Sequence, residues 1–232
     1  MLNFVYIFVE GDADVKFIAD YIGHIVSNVK VVFAKSKTDK GKAEISVNDV
    51  HKITIHGLGG WKDIKNVRTE IERNTENSGT NLIIFDADSI ENDGGFSKRI
   101  QEIEDRMKGL SYEVFLFPNN QDDGAFEDLL EKIINEINTP IFHCWNEFEN
   151  CLQEYASNKI GKKMTTPAKK SKIYVYLESL VGKTNNEKAK IKDPNRDYKN
   201  TAHWNLNADY LSPLKVFLEK NLLGIDVSKP DD

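Results

Sequence analysis

Two carboxylates one residue apart, Asp86 and Asp88, close the apolar run Leu82-Ile83-Ile84-Phe85. Four such residues in a row read as a strand buried on both faces, and strand side chains alternate, so the two acids are expected to point the same way. A second acidic set, Glu10 and Asp14, follows the strand pattern Phe4-Val5-Tyr6-Ile7-Phe8-Val9, with Gly11 expected to supply a close backbone turn. Carboxylates gathered at one point suit a hard divalent cation. Crowded together without one they repel, and some must stay protonated.

The elements that position these acids follow in chain order. Val15, Ile18, Ile22 and Ile25 recur at helical spacing, predicting a helix from about Ala13 to Ser27 with Asp12 as its N-cap. Val29 to Ala34 and Ile53 to His56 read as strands, separated by a polar Lys, Asp and Gly segment expected to be a loop. Helices are expected from about Trp61 to Asn74, near Ser97 to Lys108, and from Ala125 to about Asn138 with Glu127 in the first turn; Tyr112 to Phe117 is the strand between the last two. The alternation predicts the α/β class: a largely parallel sheet with helices on both faces, over residues 1–138. A parallel sheet brings strand ends to one edge, so Glu10, Asp14, Asp86 and Asp88 are expected to converge there.

From residue 139 the strand signal fades, and residues 139–232 read as a helical C-terminal extension with a basic loop. Phe142, Trp145, Phe148, Leu152 and Tyr155 repeat every three to four residues, the pattern of a helix with its apolar stripe in the core. Helices near Pro167 to Val181 and Pro213 to Leu222 flank Gly182 to Thr201, which reads as a long loop or mobile arm. Cys144 and Cys151 lie roughly 10 Å apart along a helix axis, too far for a disulfide, and are expected to be small core residues. The five histidines show no paired spacing; His56 falls near the sheet edge, where a structural role is expected.

Two patterns carry a resemblance. Glu10-Gly11-x-x-Asp14 after a strand, and Asp86-x-Asp88 after a later apolar strand, resemble the motifs of the Toprim domain of topoisomerases, primases and overcoming-lysogenization-defect nucleases. Phe117-Pro118-Asn119-Asn120 followed by Gly124-x-x-Glu127-Asp128-Leu129-Leu130 looks like the corresponding region of stand-alone Toprim-like proteins. The resemblance covers roughly residues 1–138. It implies that Glu10, Asp86 and Asp88 bind Mg2+, with Mn2+ as a substitute, and act on phosphodiester bonds. Asp14 matches an acidic position of the nuclease branch, and Glu127 would complete a second metal site. Ser89-Ile90 stands where topoisomerase motifs commonly have Gly, and no tyrosine-bearing topoisomerase domain or zinc module accompanies the motifs, so topoisomerase activity is not expected.

Charge supplies the complement. Residues 159–199 carry a net +8, so the rest of the chain carries −14 within the total of −6. Lys169, Lys170, Lys172, Lys190, Lys192 and Arg196 are expected to neutralise a phosphate backbone, with Tyr174, Tyr176, Tyr198 and Trp204 able to stack on bases. The leading expectation is therefore a Mg2+-dependent Toprim-type nuclease acting on nucleic acid, with an ATPase protein as a further candidate partner. The alternative is a non-catalytic nucleic-acid or partner-binding module that keeps the fold and the acidic metal site. A receiver-like signalling domain would need a Lys at a late strand end, which Phe117-Pro118 does not offer. No tract approaches the roughly 18 to 20 apolar residues of a membrane span, and no secretory leader is visible, so the cytoplasm is the expected compartment.

Overall fold

The computed structural model describes residues 3–33, 41–47, 51–155 and 164–222. Among these, six strands form one mixed sheet in the order β2-β3-β4-β1-β5-β6. They are β1 (Asn3–Val9), β2 (Val29–Phe33), β3 (Lys42–Val47), β4 (His51–Gly57), β5 (Thr80–Asp86) and β6 (Glu113–Phe117). The central strand β1 runs parallel to β4 and β5, and β5 parallel to β6. The other edge is antiparallel, β3 pairing with both β2 and β4.

Strand β3 falls in the segment expected to be a loop. Its alternation explains it: Ala43, Ile45 and Val47 are buried while Glu44 and Ser46 point away, and Glu44 pairs with Lys42 and Lys52 on the solvent side.

Helices cover both faces, which is why the central strands carry the unbroken apolar runs Val5–Val9, with Tyr6 within it, and Leu82–Phe85. Val5, Ile7 and Val9 of β1 and Leu82 and Ile84 of β5 meet α1 (Asp12–Ile25) and α4 (Phe126–Lys132). Phe8, Ile83 and Phe85 face the other layer, a 3-10 turn at Trp61–Val67 with α2 (Arg68–Glu76) and α3 (Phe96–Met107). Each fully buried Ile, Leu or Phe contributes about 1.5 to 3 kcal/mol, so this double-sided burial sets the position of the β1 and β5 ends firmly.

Helix α1 starts one residue earlier than a capping Asp12 requires. Gly11 is the N-cap, and the Asp14 carboxylate reaches back to accept the Gly11 N–H at 2.7 Å. Gly11 itself has φ −141°, extended backbone open to any residue, so the turn after Glu10 does not depend on glycine. Helix α4 ends at Lys132, short of the expected Asn138, because Ile133 and Ile134 leave it to pair with the chain near Trp204: the Asn205 N–H donates to the Ile133 carbonyl at 2.6 Å.

The C-terminal region contains α5 (Thr139–Tyr155), α6 (Lys169–Val181), α7 (Asn185–Lys190) and α8 (Ser212–Asn221). Its buried Ile173, Tyr176, Tyr198, Trp204, Leu214 and Phe217 belong to the same core as α1 and α4, so the expected boundary near residue 138 falls inside a continuous apolar interior. The segment expected to be a mobile arm is folded: besides α7 it buries Ile191, Arg196 and Tyr198, and the Tyr198 N–H donates to Asp20 on α1 at 3.1 Å. The stripe of α5 is buried only at Phe142 and Trp145. Phe142 stacks on Tyr176 of α6, whereas Phe148 and Tyr155 are about half exposed. Cys144 and Cys151 are exposed rather than core residues, because seven residues apart they share a helix face that Phe142 does not. Among the described residues no helix is long and apolar enough to cross a membrane.

Candidate functional site

The Glu10 carboxylate sits where the ends of β1 and β5 meet. Its Oε1 accepts the Asp86 N–H at 3.0 Å and its Oε2 the Trp61 N–H at 3.3 Å. Its carbonyl accepts the Gly59 N–H at 2.7 Å, pinning the same residue to the turn after β4. Burial raises the Glu10 carboxyl above its ordinary value, and the Asp88 charge adds to the rise, against the Asp86 N–H and the Arg99 charge.

Asp86 ends β5 and turns toward α4, whose first N–H, on Phe126, donates to Oδ1 at 2.8 Å. Burial pushes its carboxyl well above the carboxylate range, and the neighbouring charges of Asp14, Glu10 and Glu127 push the same way. Asp14, one turn into α1, is 8% exposed, and its carboxyl is pushed up to about 7, mainly by burial and then by Glu10 and Glu127. Glu10, Asp14, Asp86 and Glu127 thus form one electrostatically linked group, drawn from α1, β5, α4 and the residue after β1.

Asp88 goes elsewhere, contrary to the expectation that it shares a face with Asp86. Alternation holds through Ala87, but Asp88 has φ +58°, a left-handed conformation that aspartate tolerates better than most residues. The chain therefore turns, the Asp88 carbonyl accepts the Gly124 N–H at 3.0 Å, and the side chain meets Arg99 of α3 at 2.6 Å. Gly94 makes the turn feasible, since a Cβ there would lie 2.3 Å from that of Asp88.

Arg99 is the residue that sequence reasoning missed. It is 2% exposed, also pairs with Glu102 at 2.8 Å, and stacks on Trp61 with its guanidinium carbon 3.9 Å from the ring centroid. The signal was present: Arg99 interrupts the stripe Phe96, Ile100, Ile103 and Met107 on α3, and a charge in a buried stripe demands a partner. His56 stacks on Phe8 and lies 3.4 Å from Glu70, so it belongs to the packing of that layer.

Beside the acids opens a cleft of about 1290 Å3. Asp88 and Glu127 line one wall, and Thr165, Thr166, Lys169 and Lys170 at the start of α6 line another. The expected basic surface is thereby divided. Lys169 pairs with Asp128, Lys170 with Asp193, and Lys172, 13% exposed, with Glu131 at 2.7 Å. Lys190 and Lys192 are exposed, Lys190 lining a separate hollow near His203. Arg196 is 3% exposed and its donors go to Asp193, the Tyr198 hydroxyl and the Ile191 carbonyl. Tyr176, Tyr198 and Trp204 are likewise buried, and Tyr174 donates to Asp193, so the expected base-stacking rings are packing residues.

As the side chains stand, no three Asp, Glu, His or Cys residues among those described converge into a metal-holding group. The donor chemistry nevertheless suits a hard cation. The linked acids offer only carboxylate oxygens, their burial leaves like charges uncompensated, and Mg2+ commonly takes one or two carboxylates and keeps several waters.

Fold and site together define an α/β protein with an acidic cluster at the carboxyl edge of its central parallel strands, beside a cleft partly lined by lysines. The chain belongs to the family described as "Protein of unknown function (DUF3226)", which it matches over residues 5–222, the sheet and the C-terminal helices alike. No curated protein and no solved structure matches it.

Proposed function

We propose that this chain is a Toprim-like, divalent-cation-dependent nuclease that cleaves phosphodiester bonds of nucleic acid. The carrying observation is the acidic group at the sheet edge, in which burial and the charges of neighbouring acids, Glu127 among them, hold the Glu10, Asp14 and Asp86 carboxyls above their ordinary range. Such an arrangement costs stability unless a cation or protons neutralise it.

Asp86 and Glu127 are the residues that would hold Mg2+ or Mn2+, with Asp14 behind them and Glu10 tying the β1 end to the Asp86 backbone. The bound cation would activate a water and steady charge on the phosphate. Lys169 and Lys170 would draw the phosphate backbone into the cleft, offsetting the acidic edge. A second reading, a nucleic-acid or partner-binding module without catalysis, is favoured by the diversion of Asp88 to Arg99.

The test is Asp86→Asn, which keeps an acceptor for the Phe126 N–H while removing a buried charge. The wild-type protein should cleave mixed DNA or RNA with Mn2+ or Mg2+ and be stabilised by the cation. The variant should fold, lose both effects, and gain roughly 1 kcal/mol in chelator as repulsion is relieved. Cleavage that survives the substitution would sink the proposal, and cation binding without cleavage in the wild type would favour the second reading.

A further inference from the structure

The cation-binding reading leaves Arg99 without a role, and this buried residue is built into the acidic edge more firmly than packing requires. One fork of its guanidinium meets Asp88 Oδ2 at 2.6 Å and the other meets Glu102 at 2.8 Å. Its flat face lies on Trp61, whose N–H holds Glu10 Oε2. Its Nε is buried with no hydrogen-bond partner among the described residues. Its charge also acts on Glu10, against the effect of Asp88. Arg99 thus reaches, directly or through Trp61, the acids delivered by both β1 and β5.

We infer that Arg99 is a resident counter-ion that withholds Asp88 from the cation site, a lock that a divalent cation must compete against. The inference rests on the reading of the acidic edge as a cation site. Three observations support it. The left-handed turn at Asp88, made feasible by Gly94, brings the carboxylate to the Arg99 guanidinium of α3. Asp88 is 33% exposed and lines the cleft, so it can exchange one cationic partner for another. Releasing it would not strand Arg99, which keeps Glu102 and the Trp61 face. The lock therefore sets the cation concentration at which the site fills.

The test uses the full chain with Arg99→Gln, Asp88→Asn and the double variant. In chelator, Arg99→Gln should be less stable than wild type. Adding Asp88→Asn should recover at least half of that loss, because the stranded carboxylate is removed with its partner. By calorimetry, Arg99→Gln should bind Mn2+ at least roughly tenfold more tightly than wild type, a gain that a merely structural arginine would not give. The double variant should lose the gain. Arg99→Lys keeps the charge without the planar fork and should bind near the wild-type affinity; it replaces Arg99→Gln in the comparison with Asp88→Asn should the latter not fold.

Additive effects of Arg99 and Asp88 substitutions in chelator would overturn the lock. Equal or weaker Mn2+ binding by folded Arg99→Gln, with wild type binding, would overturn the lock alone and leave the cation reading standing. If the residues couple in chelator but neither wild type nor Arg99→Gln binds Mn2+, the cation reading fails and the lock with it.

Discussion

The acidic sheet edge and the α4–α6 seam carry charge in opposite ways. At the edge, Asp14 and Asp86 are buried beside other acids, and their carboxyls are held above the ordinary range. Along the seam, Lys169 and Lys172 of α6 meet Asp128 and Glu131 of α4, one turn apart on each helix. Nearby, Lys170 and Arg196 share Asp193, whose carboxyl is lowered by these partners against its burial. Opposite charges that pair off consume each other and make structure. Like charges left crowded need something from outside, which is why the edge, and not the larger basic segment, is the better pointer to chemistry.

The strongest way to break this contrast is at the buried end of the basic region. Replacing Arg196 with Met should cost roughly 3 kcal/mol or more, because it removes one partner of a desolvated pair and orphans the Ile191 carbonyl and the Tyr198 hydroxyl. Urea denaturation would read this directly, and a loss under 1 kcal/mol would mean that Arg196 is replaceable by its neighbour Lys170.

The edge should respond to pH in the reverse sense to ordinary acid denaturation. The folded Asp14 carboxyl titrates at about 7 against roughly 4 in the unfolded chain, so between these values the folded state holds a proton that the unfolded state lacks. Its contribution is fully present below about pH 4 and lost as pH rises through about 7, with a slope of up to about 1.4 kcal/mol per pH unit. Denaturation in chelator across this window should show the decline, and Asp14→Asn should flatten it. An unchanged slope in that variant would place the decline on Asp86 and Glu10 instead.

A smaller effect is expected where the two regions share the cleft. The Lys169→Ala, Lys170→Ala double variant should change stability by less than about 1 kcal/mol, since both lysines are more than half exposed. On the proposed function it should lower the log-log salt slope of nucleic-acid affinity by about one to two units. Smallest of all, Cys144→Ser with Cys151→Ser should leave thermal unfolding unchanged within about 0.5 kcal/mol, as both thiols face solvent.

How much could be read in advance follows from where the signals lie. Strands β1, β5 and β6 announced themselves by runs of apolar residues, because burial on both faces removes the ambiguity of period. Strand β3 is hidden in the sequence because lysine and glutamate mask the alternation of Ala43, Ile45 and Val47. The meeting of Glu10 with the end of β5 follows from parallel neighbours in the sheet, but the turn at Asp88 does not follow from any period. Ion pairing was the least legible property. Lys169 and Lys172 looked free in sequence because Asp128 and Glu131 lie 41 residues away. Arg99 could have been suspected from its own helix, where it occupies an apolar stripe.

The ladder of ion pairs between α4 and α6 has a further consequence. Lys169 and Asp128 both border the cleft, so the contact that spans its two walls is also a contact that closes the helical interface. Tyr176 extends the same tie to the Asn138 side chain and the His203 carbonyl. The aperture is thus set by tertiary packing, and on the proposed function the cleft should admit nucleic acid by its thickness. On the proposed function, selectivity for what enters is then inherited from the stiffness of the fold, and a variant that loosens the α4–α6 seam should become less discriminating before it becomes less folded.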